Sequence, residues 1–259
     1  MKKPLLAVLF MAMLFIAACS KDNDNSGKSR LSVYLTDDPS TYDAVLIDIQ
    51  DIQVNTTTDT ASGWQSINLL RPGVYDLLKF RNGLDTVLAS AEIPAGKISQ
   101  IRLILGSNNS VVINGASYPL ETPSSQQSGL KLNVHAQLEA GIEYKLWIDF
   151  DAKRSIVVTG GGTYILKPVI RTYAQATSGS VKGITLPATG VNWIYAIQNT
   201  DTIASAKPDL ITGGFLISGL SSGSYTISID AAAPLNDTTV NGVNVTVGQV
   251  SDLGTVQLH

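Results

Sequence analysis

Short segments in which apolar and polar residues alternate recur along most of this sequence. Leu31, Val33 and Leu35 form one such segment, and residues 225–229 form another. Because successive side chains of a strand point to opposite faces of a sheet, this period of two predicts strands with one buried face. Connections rich in asparagine, glycine and serine, such as residues 106–109, separate the segments, and these residue types favour turns. No window has helical periodicity over three turns, so the predicted fold class is all-β.

Two features interrupt this alternation in the first half of the chain. The apolar positions of residues 45–49 and of residues 52–54 have opposite parity. A one-residue slip would turn one of these sets away from the core, so we expect a β-bulge near Gln50–Asp51. We also expect a short helical turn in residues 73–82 and another in residues 85–91.

The start of the sequence predicts an export signal. Lys2 and Lys3 give it a positive charge, and an apolar run from Leu5 to Ala18 follows. At about 1.5 Å per residue, this run is too short to cross a hydrocarbon core of roughly 30 Å. Its length is typical of a signal peptide, to which we assign residues 1–18.

The segment Ala17-Ala18-Cys19 resembles the lipobox of bacterial lipoproteins. The resemblance implies that Cys19 is lipidated, becomes the first residue of the mature chain and anchors it in a membrane. The alternative is an ordinary signal peptide that contains a cysteine. Cys19 is the only cysteine of the chain, so no intramolecular disulfide can form and the fold depends on its own apolar core.

Residues 19–28 are polar and predict a disordered leash. The acidic residues behind Cys19 resemble the surface-export signal of some Gram-negative lipoproteins. We therefore expect a lipid-anchored outer-membrane protein on the cell surface, with an anchor that faces the periplasm as the alternative. A formal net charge of −3 without a Lys/Arg cluster argues against nucleic acid as a partner.

A segment of small residues at 174–179 divides the remainder into two expected domains, residues 29–175 and residues 178–259. The first domain carries six motifs, which are, in order, Leu35-Thr36-Asp37-Asp38-Pro39, Tyr42-Asp43-Ala44-Val45, Ile98-Ser99-Gln100-Ile101-Arg102-Leu103, Ser128-Gly129-Leu130-Lys131-Leu132, Asp149-Phe150-Asp151 and Leu166-Lys167-Pro168-Val169-Ile170. Together they resemble the bacterial family catalogued as domain of unknown function 4382, over residues 29–172. The resemblance implies an extracytoplasmic, often lipid-anchored β domain with no established activity, and it supplies no catalytic residues to carry over. We expect a sandwich or a barrel-like fold.

The second domain carries four motifs, which are Gly179-Ser180-Val181-Lys182-Gly183, Gly214-Phe215-Leu216-Ile217-Ser218-Gly219-Leu220, Gly223-Ser224-Tyr225-Thr226 and Asp252-Leu253-Gly254. They resemble the regulatory-like domain attached to carboxypeptidases. That family has a small transthyretin-like β-sandwich and is grouped with carbohydrate-binding-like folds. Because a fold does not determine a function, carbohydrate binding is only an analogy at this point.

Histidine is scarce in this chain, which contains only His135 and His259. We expect His135 to be an exposed strand residue. A nucleophile triad or a histidine metal site would need more histidines in suitable places. We therefore predict that the protein is not an enzyme.

Four carboxylates are the candidate metal ligands. Asp37 and Asp38 lie in a predicted turn, and Asp149 and Asp151 lie at a strand end with the same parity. Oxygen ligands of this kind suit calcium, the one cofactor that the sequence suggests. The alternative is that these side chains cap turns and are solvated.

Aromatic side chains are the candidate ligand-binding surface. Trp64 follows Ser62-Gly63 and is expected on a loop tip, whereas Trp147 lies on the strand face opposite the core or covers a second core. Trp193 and Tyr195 share one strand face. Such side chains stack against sugars, but packing in the core of a sandwich is the alternative for each.

These observations favour a non-enzymatic, lipid-anchored envelope protein that acts in adhesion, assembly or ligand binding. Its expected partners are the membrane, through lipidated Cys19, and a glycan or an envelope or host protein. The alternative function is a carbohydrate-binding module that captures glycans.

Overall fold

The computed structural model describes residues 27–38, 40–57, 59, 61–122 and 129–259. The expected signal peptide, Cys19 and nearly all of the expected leash lie outside the described residues. Lys28, the last residue of the expected leash, begins the first strand. In the part of the chain that is described, no helix has the length and apolar character needed to span a membrane.

The described residues of the first unit form thirteen strands, which are β1 (Lys28–Asp38), β2 (Ala44–Asn55), β3 (Trp64–Ser66), β4 (Gly73–Asp76), β5 (Thr86–Pro94), β6 (Gly96–Leu105), β7 (Ser110–Ile113), β8 (Ala116–Glu121), β9 (Leu130–Leu138), β10 (Glu143–Asp151), β11 (Ile156–Val158), β12 (Tyr164–Leu166) and β13 (Ile170–Ala174). A 3-10 turn, Leu77–Lys79, and a single helical turn, α1 (Ala152–Ser155), interrupt them.

These strands form two sheets that enclose one apolar core. The first sheet has the order β13-β10-β1-β5, and the second has the order β11-β12-β8-β7-β2-β6-β9 with β3 and β4 paired to β2. Strands β1 and β10 are parallel to each other. Val33 and Phe150 from the first sheet and Ile47 and Leu103 from the second are fully buried in the same core. The first unit is therefore a β-sandwich, because two sheets share their apolar faces.

The irregularities of the strands only partly match the sequence expectations. The pairing of β2 with β6 shifts register between Ile49 and Asp51, which confirms the expected bulge. The helical turn expected in residues 73–82 is present as the 3-10 turn. The one expected in residues 85–91 is wrong, because residues 86–91 belong to β5. A register shift against β1 buries both Leu88 and Ala89, and this hides the period of two.

The second unit contains seven strands, which are β14 (Gly179–Leu186), β15 (Val191–Gln198), β16 (Asp201–Ala206), β17 (Gly214–Leu220), β18 (Gly223–Ala231), β19 (Thr238–Val245) and β20 (Val250–Gln257). They form two sheets with the orders β17-β14-β20 and β16-β15-β18-β19. Val181, Ile194 and Ile227 lie in a second apolar core between these sheets. The chain is thus all-β, with one sandwich-like core in each unit.

Candidate functional site at the junction of the two units

An aromatic row crosses the first sheet on the face that points away from its core. Tyr34 of β1 pairs with Trp147 of β10, and Trp147 pairs with Tyr173 of β13. The ring centroids are 4.8 Å apart for Tyr34 and Trp147 and 5.5 Å apart for Trp147 and Tyr173, and both pairs are stacked. Trp147 Nε1 donates a hydrogen bond of 2.6 Å to Asp85 Oδ2. Neighbouring rings therefore cover both faces of Trp147.

The next row along the same strands carries the charges that link the two units. Asp149 of β10 pairs with Thr36 of β1 and with Arg171 of β13. Arg171 Nη2 lies 2.6 Å from Asp149 Oδ2. The same guanidinium donates hydrogen bonds to the backbone carbonyl oxygens of Ser218 at 3.0 Å and Gly219 at 3.2 Å. Since Ser218 and Gly219 belong to β17, one arginine connects a buried carboxylate of the first unit to the backbone of the second.

Gly219 allows this close approach of the two units. Its φ angle is +72°, and a Cβ atom at this position would lie 2.4 Å from the ring of Tyr173. A side chain here would meet both the steric penalty of a positive φ and a clash with the aromatic ring. The Gly219 backbone therefore packs directly on Tyr173 while its carbonyl group accepts the hydrogen bond from Arg171.

Asp37, Asp38 and Asp149 are all buried at this junction. Burial and the charge of Asp149 raise the pKa of Asp38 to about 7, although Ser205 Oγ lies 3.2 Å from Asp38 Oδ2 and donates to it. The same two causes raise the pKa of Asp37 well above its usual range. Burial also raises the pKa of Asp149, against the opposing effect of Arg171.

Two carboxylate oxygens of the junction have no hydrogen-bond partner among the described residues. They are Asp37 Oδ2 and Asp149 Oδ1. The other oxygen of Asp37 accepts a hydrogen bond of 3.1 Å from the backbone N–H of Ala152. An unpaired oxygen costs less when the carboxyl group is protonated, which agrees with the direction of both pKa shifts.

The four aspartates expected to bind calcium lie at the same end of the paired strands β1 and β10. Asp37 and Asp38 are the last two residues of β1, so their expected position in a turn is wrong. Asp38 pairs with Asp151 in the register of β1 and β10, one row beyond Asp149. The resident cation of this cluster is Arg171, and Arg154 is paired with Asp151. Across the described ranges, no group of three or more acidic, histidine or cysteine side chains is arranged to hold a metal ion. Calcium binding remains a prediction, and any ion would have to compete with the guanidinium of Arg171.

A cleft of about 240 Å³ lies beside the aromatic row. Trp147, Tyr173 and Asp85 line it from the first unit, and Ser180 and Gln249 are among the lining residues from the second. The cleft therefore combines aromatic edges with hydroxyl, amide and carboxylate groups, and it exists only where the two units meet.

The remaining candidate aromatic residues lie elsewhere. Trp64 is the first residue of β3 and is partly buried, with the guanidinium carbon of Arg102 4.3 Å from its ring centroid. Trp193 is 7% exposed, and the ammonium groups of Lys153 and Lys207 lie 4.2 Å and 4.6 Å from its ring centroid. Because Lys153 belongs to α1, Trp193 is covered by the first unit.

The alternative interpretation of Trp193 and Tyr195, in which both side chains pack in the core of a sandwich, is wrong. The core of the second unit, as far as it is described, contains Ile194 and Ala196 instead. The pairing of β15 with β18 shifts register between Val191 and Trp193, which reverses the parity after Val191. Tyr195 is partly buried and stacks near Trp193, with 6.2 Å between the ring centroids.

Sequence reasoning missed Arg171, Asp85 and Gly219. The available signal for Arg171 was a lone arginine with the same strand parity as Tyr173. No local pattern marks Asp85 or Gly219, since their partners lie far away in the chain. His135, by contrast, is exposed on β9 as expected.

The described residues thus define an all-β protein whose two sandwich units meet at a buried, charged junction. The family model described as a domain of unknown function (DUF4382) matches residues 28–168. Since this is more than half of the chain, the protein belongs to that family. The resemblance of the second unit to the carboxypeptidase regulatory-like family remains a prediction.

No curated protein matches this chain. Among solved structures, it is similar to the minor pilin GBS52 of Streptococcus agalactiae, with 16% identity, 89% of this chain and 95% of that chain covered and a TM-score of 0.23. It is also similar to the TIE protein of Bacillus anthracis, with 11% identity, 90% and 34% covered and a TM-score of 0.25. A fimbrial protein from Bacteroides ovatus has 9% identity, 89% and 50% covered and a TM-score of 0.23. The chain spans about a third of the Bacillus protein and half of the Bacteroides protein. TM-scores this low carry no argument about function.

Proposed function

We propose that this chain is a non-enzymatic lipoprotein of the bacterial cell envelope, anchored in the outer membrane through Cys19 and displayed on the cell surface. Its two units act as one body in adhesion, in assembly or in the binding of a ligand. The lipid anchor rests on the lipobox-like segment that ends at Cys19. The observation that carries the single body is the Arg171 bridge from Asp149 to the backbone of β17.

The bridge supports a rigid body because its partners come from both units. A charged hydrogen bond is typically worth more than a neutral one, and Arg171 makes such bonds to Asp149, Ser218 and Gly219. The Gly219 backbone also packs on the ring of Tyr173. Two units held in this way would present the cleft between them in one fixed geometry, which favours recognition of a specific ligand.

The absence of enzymatic activity is part of the proposal and rests on the roles of the polar side chains. His135 is exposed on β9, and Asp149 is already engaged by Arg171. Asp151 accepts from the backbone N–H of Arg154 and is paired with its guanidinium. These contacts give the carboxylates of the junction a structural use.

The second candidate function is the capture of glycans in the junction cleft, and the lining of the cleft favours it. Sugars bind where aromatic carbon lies beside hydrogen-bonding groups, and the cleft offers Trp147 and Tyr173 next to Asp85 and Ser180. Since both faces of Trp147 are covered, a sugar would contact ring edges. Glycan-array binding by the full-length protein that is lost in Asp85→Ala would support this function.

The experiment that tests the main proposal is protease accessibility on intact cells, with lysed cells as the control. Digestion on intact cells is the expected result, and protection until lysis would place the protein on the periplasmic side instead. Cys19→Ala should release the protein from the membrane, because the acyl chains supply the anchor. If that variant stays membrane-bound, the lipid anchor is wrong.

A further inference from the structure

The loop between β16 and β17 holds two adjacent aliphatic side chains in solvent. Leu210 is 68% exposed and Ile211 is 90% exposed. Asp209 Oδ1 accepts hydrogen bonds from the backbone N–H groups of Ile211 at 3.1 Å and Thr212 at 2.8 Å. The backbone N–H of Gly213 donates to the carbonyl of Asp209 at 2.8 Å. The loop is therefore ordered by its own hydrogen bonds while its aliphatic side chains remain exposed.

Burial of these two adjacent side chains against another surface would be favourable. Full burial of one leucine or isoleucine side chain is worth about 1.5–3 kcal/mol, and clusters of exposed apolar residues mark interaction sites. Leu84 of the first unit is 63% exposed and lines the same groove as Leu210 and Ile211. This groove has a volume of about 920 Å³, and we refer to it as the aliphatic groove.

Cations without carboxylate partners also line the aliphatic groove. Arg81, Lys182 and Lys207 all border it. Lys182 is 3.2 Å from Asp252, whereas no carboxylate among the described residues lies within 4.0 Å of Arg81 or Lys207. The groove thus offers apolar contacts and two positive charges that lack a carboxylate partner, although the chain as a whole has a net charge of −3. The ammonium group of Lys207 also lies 4.6 Å from the ring centroid of Trp193.

Neighbouring positive charges disfavour the charged form of Lys207, so a negative partner would stabilise it. Burial, followed by the charges of Arg81 and Lys153, lowers the pKa of Lys207. The carboxylate of Asp209 also lines the groove, and its Oδ1 accepts three hydrogen bonds from within its own loop. An incoming carboxylate near Arg81 and Lys207 would relieve their mutual repulsion.

We propose that the aliphatic groove binds a short segment of a partner protein that combines acidic and aliphatic side chains. The acidic groups would pair with Arg81 and Lys207, and the aliphatic groups would cover Leu84, Leu210 and Ile211. A concave groove is filled by a segment that enters it, whereas a flat bilayer would touch only the tip of the loop. This proposal stands apart from the function proposed for the junction cleft, because none of these five residues lines that cleft.

The test uses the full-length protein in nanodiscs of zwitterionic lipid and three fluorescent peptides. The peptides alternate leucine with glutamate, with serine or with lysine. Fluorescence anisotropy should show that the glutamate peptide binds at least about tenfold more tightly than the other two, which corresponds to about 1.4 kcal/mol. Equal or tighter binding of the lysine peptide would overturn the proposal, as would binding of none of the three.

Variants locate the binding surface. The double variant Leu210→Ser, Ile211→Ser should weaken binding of the glutamate peptide by about tenfold or more. Arg81→Gln should weaken binding of the glutamate peptide but should change the affinity for the serine peptide by no more than about twofold. Ile142→Ser is the matched control, because Ile142 is 61% exposed but does not line the groove. If the double variant binds as the wild type does, the proposal is wrong. If the double variant loses binding to vesicles of anionic lipid but binds the peptides as the wild type does, the loop contacts a bilayer instead.

Discussion

Arg171 Nη2 lies 2.6 Å from Asp149 Oδ2, and the side chain of Asp149 is only 4% exposed. This pair sits on the outer face of the first sheet, in the row next to the aromatic stack. The guanidinium also donates to two carbonyl groups of β17. The contact between the two units therefore depends on a charge pair in which neither partner can be removed without leaving the other poorly solvated.

Arg171→Met should destabilise the protein by about 3 kcal/mol, because it leaves Asp149 buried without its cation. Urea unfolding at neutral pH measures this loss. Arg154→Met is the matched control, since it breaks a pair with Asp151 in which the cation is 62% exposed, and it should cost less than about 1 kcal/mol. Equal losses of stability in the two variants would show that the Arg171 bridge contributes no more than a surface ion pair.

The stability of the protein should increase as the pH is lowered from about 7 towards 4. The pKa of Asp38 is raised to about 7 in the folded state, so the folded protein binds this proton more tightly than the unfolded chain does. Stability therefore falls with rising pH across this window, by up to about 1.4 kcal/mol per pH unit for one group. Asp37 and Asp149, whose pKa values are also raised, act in the same direction.

Asp38→Asn tests this pH dependence, because asparagine resembles the protonated carboxyl group. Urea unfolding should show the variant to be more stable than the wild type above about pH 7, with a smaller slope below it. Asp201→Asn, at an exposed carboxylate, is the control and should keep the wild-type slope. A wild-type profile that rises with pH from 4 to 7 would refute the assignment.

Gly219→Ala should weaken the junction by more than the cost of a positive φ alone. Its new methyl group would clash with the ring of Tyr173. Gly115→Ala is the matched control, because Gly115 has a φ of +76° with no atom within 4 Å of the added Cβ. A positive φ costs an alanine about 1–2 kcal/mol, so Gly219→Ala should exceed Gly115→Ala in thermal unfolding. If Gly219→Ala loses no more stability than Gly115→Ala, the close packing of Gly219 on Tyr173 does not stabilise the junction.

Calcium should leave the melting temperature of the wild type unchanged, because Arg171 already neutralises Asp149. In Arg171→Gln, millimolar calcium should raise the melting temperature, since a ligand stabilises the state that binds it. No rise in this variant would show that the four aspartates do not hold the ion. Differential scanning fluorimetry with and without a chelator measures both. A calcium-dependent rise in the wild type would show that the ion displaces the guanidinium.

The strands and the all-β class follow from local pattern, and so does the bulge of β2. Val45, Ile47 and Ile49 have the opposite strand parity to Ile52, yet all four side chains are fully buried. This change of parity is visible in the sequence. In β5 and β15, by contrast, a bulge reverses the parity without any such mark, so the alternation misled the interpretation of Trp193.

The candidate site could be predicted only in part. The strand parity of Asp149 and Asp151 was readable, but the parallel pairing of β1 with β10 joins segments more than a hundred residues apart. The partners of Arg171 in β17 are likewise distant in sequence. Long-range pairing of this kind leaves no local signal, so the convergence of the aspartates around an arginine emerges only from the structure.

The most direct test of a single rigid body is the distance between the two units. Spin-labelled noncanonical amino acids at the exposed positions of Lys131 and Asn244 allow this distance to be measured by pulsed electron paramagnetic resonance in the full-length protein. The account predicts one narrow distance distribution in the wild type and a broader one in Arg171→Met. A broad distribution in the wild type, unchanged by Arg171→Met, would contradict it.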